Sequence, residues 1–194
     1  MARAREFDVD DALDKALAVF WRKGFRGTSV QDLVDAMGIQ RGSLYGTFGD
    51  KENLFQSAFD LYVDRRQKAL DATREPVEAI QNWFNMLISS ALDDPDRKGC
   101  FIVNSAFELE AHDEAFRKRL KQTLDGSEVF FRDRIREAQA QGAIPGHLDP
   151  VRQAKALLGA ATAIRALSRA RPEPALLHII AETALNPLGI SLKA

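Results

Sequence analysis

The chain has 194 residues, of which 45% are hydrophobic and 28% are charged, and its formal net charge at pH 7 is −1. This composition is typical of a soluble globular protein and excludes a disordered chain, and no run approaches the roughly 18 apolar residues of a membrane-spanning helix. A single cysteine, Cys100, excludes an intrachain disulfide framework. No apolar stretch follows the N-terminal arginines, so we expect no secretory signal and a cytoplasmic location.

The N-terminal third of the chain predicts four helices and no strand, because apolar residues recur at helical spacing together with helix start and stop signals. Thr28 and Gln31 have the spacing of a capping box that begins the second helix. Gly38 ends that helix after one short amphipathic stretch. A compact third helix follows from about Arg41 to Phe48, and Asp50 is placed to cap the fourth.

The remaining two thirds of the chain predicts longer helices. We expect one from Glu114 to about Ala140 and two alanine- and leucine-rich helices near residues 150–170 and 174–185. The sequence therefore predicts an all-α fold of about nine helices. We place an N-terminal domain over residues 1–66 and a larger C-terminal domain over residues 67–194.

The second and third helices, joined at a glycine turn, have the plan of a helix-turn-helix, whose second helix enters the DNA major groove. That second helix would present short polar side chains, glycine and one guanidinium to the outside: Gln40, Arg41, Ser43, Gly46 and Thr47. Such a surface suits base edges and phosphates better than it suits packing. Gly42, near the helix start, would let the backbone approach a phosphate or base closely.

The stretch GFRGTSVQDLVDAMGIQRGSLYGTFGDKENLF, residues 24–55, resembles the DNA-binding domain of TetR-type transcriptional repressors. It has their order of Gly-aromatic, Gly-Thr-Ser, Ala-x-Gly-Ile, Gly-Ser-Leu-Tyr, x-x-Phe and Lys-Glu-x-Leu without a gap. The match extends from about Phe7 to Arg66. Beyond it, the chain is similar to the family only in length and helical character.

The resemblance implies roles for individual residues. Thr28 would cap the second helix and contact a phosphate, Tyr45 would direct its hydroxyl at the DNA backbone, and Lys51 would pair with a phosphate. The residues that would read base edges are Gln40, Arg41, Gly42 and Ser43. Gly46 and Thr47 depart from the aromatic or histidine that the family often carries there, which weakens the expected backbone contact at these positions.

Each of these roles has a structural alternative that the sequence leaves open. Taken alone, Tyr45 is equally consistent with an aromatic residue of the core. Thr28 would cap a helix whether or not DNA is present. Arg41 and Lys51, each taken alone, are also ordinary surface charges. A further hypothesis is that Arg3 and Arg5 belong to a flexible N-terminal arm that reaches a minor groove of the DNA.

The central helices carry enough aromatic and apolar bulk to line an effector cavity with a few polar groups. The candidate effector-binding residues are Trp83, Leu87, Cys100, Phe101, Asn104, Phe107 and Phe131. The same stripe is also the pattern of a plain core. A cysteine flanked by Arg97 and Lys98 at a helix start has a lowered thiol pKa, and in one branch of the resembled family such a residue senses electrophiles or oxidants. The alternative is that Cys100 is a small buried hydrophobe.

The last two helices are the candidate interface of a homodimer, since palindromic operators are read by two-fold symmetric dimers. Small residues beside leucines permit close helix packing, and the candidate residues are Ala154, Leu158, Ala161, Arg165, Leu177, Ile180 and Ala184. An intramolecular core is the alternative for each of them.

We therefore expect a dimeric repressor that binds double-stranded operator DNA and is released by a small-molecule or thiol-reactive effector. The sequence contains no phosphate loop, dinucleotide fingerprint, nucleophile elbow or zinc pair, so we expect no enzyme, cofactor or metal site. A helical ligand-binding or protein-interaction module that has lost DNA binding is the alternative.

Overall fold

The computed structural model describes residues 7–192 of the chain, so the predicted arm residues Arg3 and Arg5 lie outside the described part. That range contains nine α-helices, two short 3₁₀ turns and no strand, which confirms the all-α prediction. The helices are α1 (Val9–Lys23), α2 (Val30–Met37), α3 (Arg41–Phe48), α4 (Lys51–Asp71), α5 (Pro76–Leu92), α6 (Phe101–Phe107), α7 (Glu114–Ala140), α8 (Pro150–Ala170) and α9 (Pro174–Leu185). None of the helices in this range is long and apolar enough to cross a membrane.

The cap of α2 differs from the prediction. Ser29, not Thr28, is the N-cap, and it forms a reciprocal capping box with Asp32. Thr28 is only 2% exposed, and its hydroxyl donates a hydrogen bond to the backbone carbonyl of Gly24 at 2.6 Å. By sequence spacing, Thr28 could form a capping box with Gln31 and Ser29 could form one with Asp32. Because Thr28 is buried and its hydroxyl is bonded to Gly24, Ser29 caps the helix, and the predicted Thr28 cap is wrong.

The first hydrophobic core joins α1–α4 to part of the C-terminal region. Its centre is aromatic, with Phe20 and Phe55 in an edge-to-face contact at 5.0 Å between ring centroids. Phe101 from α6 and Phe116 from α7 are also buried in this core. The helix-turn-helix segment therefore shares one hydrophobic core with α6 and the start of α7.

The second core fills the space between α5, α7, α8 and α9 and is almost entirely aliphatic and aromatic. Trp83 and Phe131 pack with their ring centroids 4.5 Å apart at its centre. The helix α4 runs without a break from Lys51 to Asp71 and contributes Leu70 to this core. The predicted boundary at residue 66 thus lies inside a continuous helix that spans both cores.

Candidate nucleic-acid interface

The α3 helix is attached to the protein by one side and exposed on the other. Leu44 is fully buried against the first core, and it is the only residue of α3 that is buried. The residues that are exposed on the outer side are Gln40, Arg41, Gly42, Tyr45 and Gly46, whereas Ser43 and Thr47 are half-buried at its edges. The polar side of α3 therefore faces outward, as the sequence predicts.

The glycines of α3 are not required by packing within the protein. A Cβ atom added at Gly42 or Gly46 would meet nothing within 4 Å, and neither residue has a positive φ. Gly38 and Gly49 differ, because both have a positive φ (+67° and +85°) and lie at the C-terminal ends of α2 and α3. The two glycines inside α3 keep an open, low-profile surface that an outside molecule can approach closely.

Tyr45 lies on the outward side of this surface. Its side chain is 44% exposed, so the alternative of a core aromatic is wrong. Tyr45 lies one turn after Arg41, on the same side of the helix, and one turn before Gly49. Its ring and hydroxyl can therefore contact the same external partner as Arg41.

Lys51 is the first residue of α4 and follows the end of α3 after two intervening residues. Its ammonium nitrogen Nζ is 4.2 Å from the centre of the Phe25 ring. Burial lowers the pKa of Lys51, and the neighbouring carboxylates of Glu52 and Glu108 oppose that shift. The side chain is half-buried rather than freely solvated, so its charge is held close to the helix-turn-helix.

The start of α2 is fixed by an ion pair from α1. Lys23 Nζ donates to Asp32 Oδ1 at 2.6 Å, and the backbone and hydroxyl of Ser29 donate to the other oxygen of Asp32, both at 2.8 Å. These hydrogen bonds, from Lys23 first and then Ser29, hold the pKa of Asp32 well below its usual range. Asp32 is therefore ionised at neutral pH, and its ion pair with Lys23 joins α1 to the start of α2.

Two adjoining cavities lie where α1, α4, α5 and α8 meet. The loop cavity, about 310 Å³, is lined by Trp21, Tyr62, Leu87, Ser90, Ala91, Asp93, Asp94, Pro95, Lys98, Gly99, Cys100, Arg165 and Ser168. The arginine cavity, about 320 Å³, is lined by Leu17, Trp21, Tyr62, Arg65, Arg66, Leu70, Trp83, Met86, Ser90 and Arg165. Both sizes are at the low end of the range for small-molecule sites, about 300–1,000 Å³.

The cavities include only part of the predicted effector residues. Trp83 lines the arginine cavity, and Leu87 and Cys100 line the loop cavity. Phe131 is buried in the second core and lines neither. The predicted residues that lie instead around a smaller cleft beside α1 and α6 are Phe101, Asn104 and Phe107. Asn104 there donates its side-chain amide to the Lys98 carbonyl at 2.7 Å, and Phe107 is 77% exposed.

Sequence reasoning missed the cavity residues that come from α1 and α4. Trp21 and Tyr62 pack edge to face at 4.9 Å and form a wall common to both cavities. Arg66 lines the arginine cavity from the same helix as Tyr62. These residues have the helical spacing of an ordinary packing stripe, so no local pattern identified them.

Cys100 is a buried thiol at the end of the loop cavity. It is 2% exposed, and the Tyr62 hydroxyl lies 3.7 Å from its sulfur. Burial opposes ionisation, but Arg165, the backbone N–H of Val103, Arg66 and Tyr62 together outweigh it and lower the pKa of the thiol. The predicted contribution of the helix start is present as the Val103 N–H, whereas the positive charges that lower the pKa are those of the half-buried Arg165 and Arg66, not of Arg97 and Lys98.

The candidate interface residues of α8 and α9 fall into three groups. Ala154, Ala161 and Leu177 are buried in the second core of the single chain. Arg165 lines both cavities. The half-buried members, which remain partly accessible, are Leu158, Ile180 and Ala184, and next to them Ile179 is 59% exposed.

Comparisons with known families and proteins agree along most of the chain. The family described as bacterial regulatory proteins, tetR family, matches residues 12–58. The family described as tetracyclin repressor-like, C-terminal domain, matches residues 76–183. The two matches together include the α3 surface and most residues of both cavities.

Curated relatives and solved structures are similar over the same length. YezE of Bacillus subtilis (strain 168), an HTH-type transcriptional regulator, is 40% identical over 152 residues, covering 75% of this chain and 77% of that protein. The HTH-type transcriptional repressor ComR of Escherichia coli (strain K12) is 33% identical over 152 residues, covering 76% and 72%. The structure of a cysteine mutant of the TetR family transcriptional regulator CifR, solved with 26-bp double-strand operator DNA, has a TM-score of 0.82 and 29% identity, covering 95% of this chain and 98% of that chain.

Proposed function

We propose how this chain works, given that it belongs to the TetR family of transcriptional regulators and is a DNA-binding repressor. In this proposal it acts as a cytoplasmic homodimer and leaves its operator when an effector fills the loop cavity and the arginine cavity. The observation that carries the proposal is the α3 surface, which is outward-facing, polar and free of side chains at Gly42 and Gly46. We divide the chain into a DNA-binding domain, residues 1–66, and an effector-binding and dimerisation domain, residues 67–194. We expect no catalytic activity and no bound metal or cofactor.

The proposed DNA contacts follow from exposure and position on α3. Arg41 reads a base edge, because an exposed guanidinium in the first turn of the helix can bind two acceptors of a guanine. The neighbouring contacts to base edges and backbone come from Gln40, Gly42, Ser43, Tyr45 and Thr47. Lys51 adds a phosphate contact from the start of α4. Thr28 has no part in this proposal, because its buried hydroxyl already donates to the Gly24 carbonyl.

The proposed dimer interface lies on the outer faces of α8 and α9. Leu158, Ile180 and Ala184 are half-buried, and the exposed Ile179 extends the same apolar surface. The buried side chains of these two helices hold the surface in place from the core side. Two-fold packing of this surface would present two α3 helices to successive major grooves, about 34 Å apart.

The proposed release mechanism depends on where the cavities lie. Trp21 belongs to α1 and Tyr62 to α4, and these are the two helices that support α2 and α3. An effector that fits between them better in one orientation of the DNA-binding domain than in another biases that orientation. Release then requires only that the favoured orientation mismatch the spacing of the two half-sites.

A thiol-reactive effector is a second route, favoured by the surroundings of Cys100. Its lowered pKa increases the thiolate fraction, and the thiolate is the nucleophilic form. A group attached to the sulfur would occupy the loop cavity between Tyr62 and Arg165. Alkylation would therefore have the same mechanical effect as a bound ligand.

Selection of operator sequences from random duplexes tests the proposal as a whole. The full-length protein is expected to enrich a palindrome, and its affinity is expected to fall steeply with salt because each phosphate contact releases counterions. Sedimentation equilibrium on the same sample is expected to give a dimer. If no palindrome is enriched and the protein stays folded, the alternative of a ligand-binding or interaction module without DNA binding replaces the proposal.

A further inference from the structure

The arginine cavity contains an imbalance of charge. Three arginines line it, Arg65, Arg66 and Arg165, and no carboxylate does. Arg65 has its counter-charge outside the cavity, because its Nη2 donates to Asp14 Oδ2 at 2.8 Å. Among residues 7–192, neither Arg66 nor Arg165 forms an ion pair with a carboxylate. Two half-buried guanidinium groups thus face one small cavity that no carboxylate lines.

Arg66 is held in place by contacts that leave part of it unsatisfied. Its Nη2 donates to the Ser127 hydroxyl oxygen at 3.1 Å, and its guanidinium carbon lies 4.3 Å from the centre of the Trp83 ring. The Nε–H of Arg66 and the indole Nε1–H of Trp83 are both buried without an acceptor in the described part of the chain. An unpaired buried donor costs about 1–3 kcal/mol. The lining therefore carries two unpaired buried donors in addition to its unbalanced positive charge.

The charge on Arg66 persists at neutral pH. Burial first and the nearby Arg165 second lower its pKa to about 10, against the opposing influence of Cys100 and Tyr62. A guanidinium with that pKa is fully protonated at pH 7. The repulsion between Arg66 and Arg165 is thus present in the empty protein and would be relieved by an anion between them.

The side chain beside these arginines that can become an internal anion is Cys100, which interacts with Arg165. Even when ionised, one thiolate cannot balance two guanidinium groups, and Cys100 lines the loop cavity rather than this one. The carboxylates nearby belong to the loop cavity too, where Asp94 lies 3.5 Å from the Lys98 ammonium. An external anion is therefore favoured in the arginine cavity and disfavoured beside Asp93 and Asp94.

We propose that the arginine cavity binds a small organic carboxylate with an apolar or aromatic body, whose carboxylate lies between Arg66 and Arg165. The guanidinium fork matches the two oxygens of a carboxylate. The walls that would contact the apolar body are Leu17, Trp21, Leu70 and Trp83, and the 43% exposed Met86 marks the entrance. The inference rests on the proposed function in one respect, because it assigns the ligand class of the proposed effector site.

Isothermal titration calorimetry with matched ligand pairs tests the proposal on the full-length protein. The probes are hexanoate, octanoate and 4-phenylbutyrate, each compared with its uncharged primary amide. At least one carboxylate is expected to bind at least tenfold more tightly than its amide. Arg66→Met and Arg165→Met are each expected to weaken that binding at least tenfold.

A matched control uses an arginine outside the cavities. Arg132 donates from Nε to Asp133 at 2.9 Å on the surface of α7, so Arg132→Met removes a guanidinium without altering the cavity, and it is expected to keep wild-type affinity. Thermal melts show whether the two cavity variants are folded, and Arg66→Lys and Arg165→Lys keep the charge if a methionine variant does not fold. Equal binding of acids and amides, no binding of any acid, or wild-type affinity in the folded Arg66 and Arg165 variants would overturn the proposal.

Operator binding, followed separately by fluorescence anisotropy, distinguishes the two levels of inference. If a carboxylate binds and lowers operator affinity, both the ligand class and the release mechanism are supported. If it binds with no change in operator affinity, the ligand class stands and the proposed release by an effector is wrong. If the protein binds its operator but no carboxylate, only the ligand class is wrong.

Discussion

Alanine at the two helical glycines of α3 is expected to separate the stability of the protein from its affinity for DNA. An added Cβ at Gly42 or Gly46 meets nothing within 4 Å, and neither backbone is left-handed. Alanine therefore introduces no clash, and it reduces the conformational freedom of the unfolded chain, which stabilises a protein by about 0.4–1 kcal/mol. For a chain of this length, that gain raises the midpoint of thermal unfolding by roughly 1–4 °C.

The same substitutions are expected to weaken operator binding at least tenfold, about 1.4 kcal/mol, because each methyl group fills space that the DNA backbone or a base edge needs. Fluorescence anisotropy with the selected operator measures the affinity, and circular dichroism at a fixed protein concentration measures the melt. Gly126→Ala is the control, since Gly126 lies within α7, has equally open surroundings and is remote from α3. Gly42→Ala and Gly46→Ala proteins that are more stable yet bind the operator as tightly as wild type would refute the close approach of α3 to DNA.

Three further predictions concern the DNA contacts, the domain contact and the thiol. Arg41→Ala is expected to relax preference at one base position by about 1–3 kcal/mol in a binding selection, whereas Lys51→Ala weakens all sequences alike and lowers the salt slope by about one; an unchanged preference in the former would contradict the assignment. Glu108→Ala removes the acceptor that Phe25 N–H uses at 2.7 Å, so unfolding free energy in urea should fall by about 1–3 kcal/mol, with Glu108→Gln retaining most of it. Alkylation of Cys100 by iodoacetamide should have a lower pH midpoint in the native protein than in the urea-unfolded chain, because buried guanidinium groups lower the thiol pKa only when folded, and equal midpoints would contradict that shift.

The sequence predicts the helices well wherever a local rule decides the outcome. The bounds of α3 and α7 are as expected, because glycine, aspartate and apolar spacing act on neighbouring residues. The cap of α2 was mispredicted because Thr28 and Ser29 both satisfy local chemistry. Burial under the first core, a tertiary effect, assigns Thr28 to the Gly24 carbonyl and leaves Ser29 as the cap.

The cavities could not be predicted from the sequence because their lining is assembled from helices that are distant along the chain. Arg165 follows an alanine- and leucine-rich stripe, so it was assigned to a dimer surface, yet α8 brings it against Tyr62 and Cys100. Arg66 was unremarkable in sequence, since an arginine on a helix is normally solvated. Its role becomes visible only when Trp83 and Ser127 are found packed around its guanidinium group.

The location of the arginine cavity determines which helices a bound ligand could affect. Trp21, at its wall, donates its indole N–H to the Gly99 carbonyl at 3.0 Å, which ties α1 to the loop before α6. A second contact joins α4 to the segment after α6, where Glu52 Oε1 lies 2.9 Å from Nδ1 of the buried His112. The proposed ligand, placed between α1 and α4, would therefore act on both helices that support α3 and on the segment that anchors them. Such a ligand can bias their orientation only by its difference in affinity for the two arrangements, typically about 1–3 kcal/mol for coupled sites. Under the proposed mechanism, a preference of that size at Arg66 and Arg165 would change operator affinity about 5- to 150-fold.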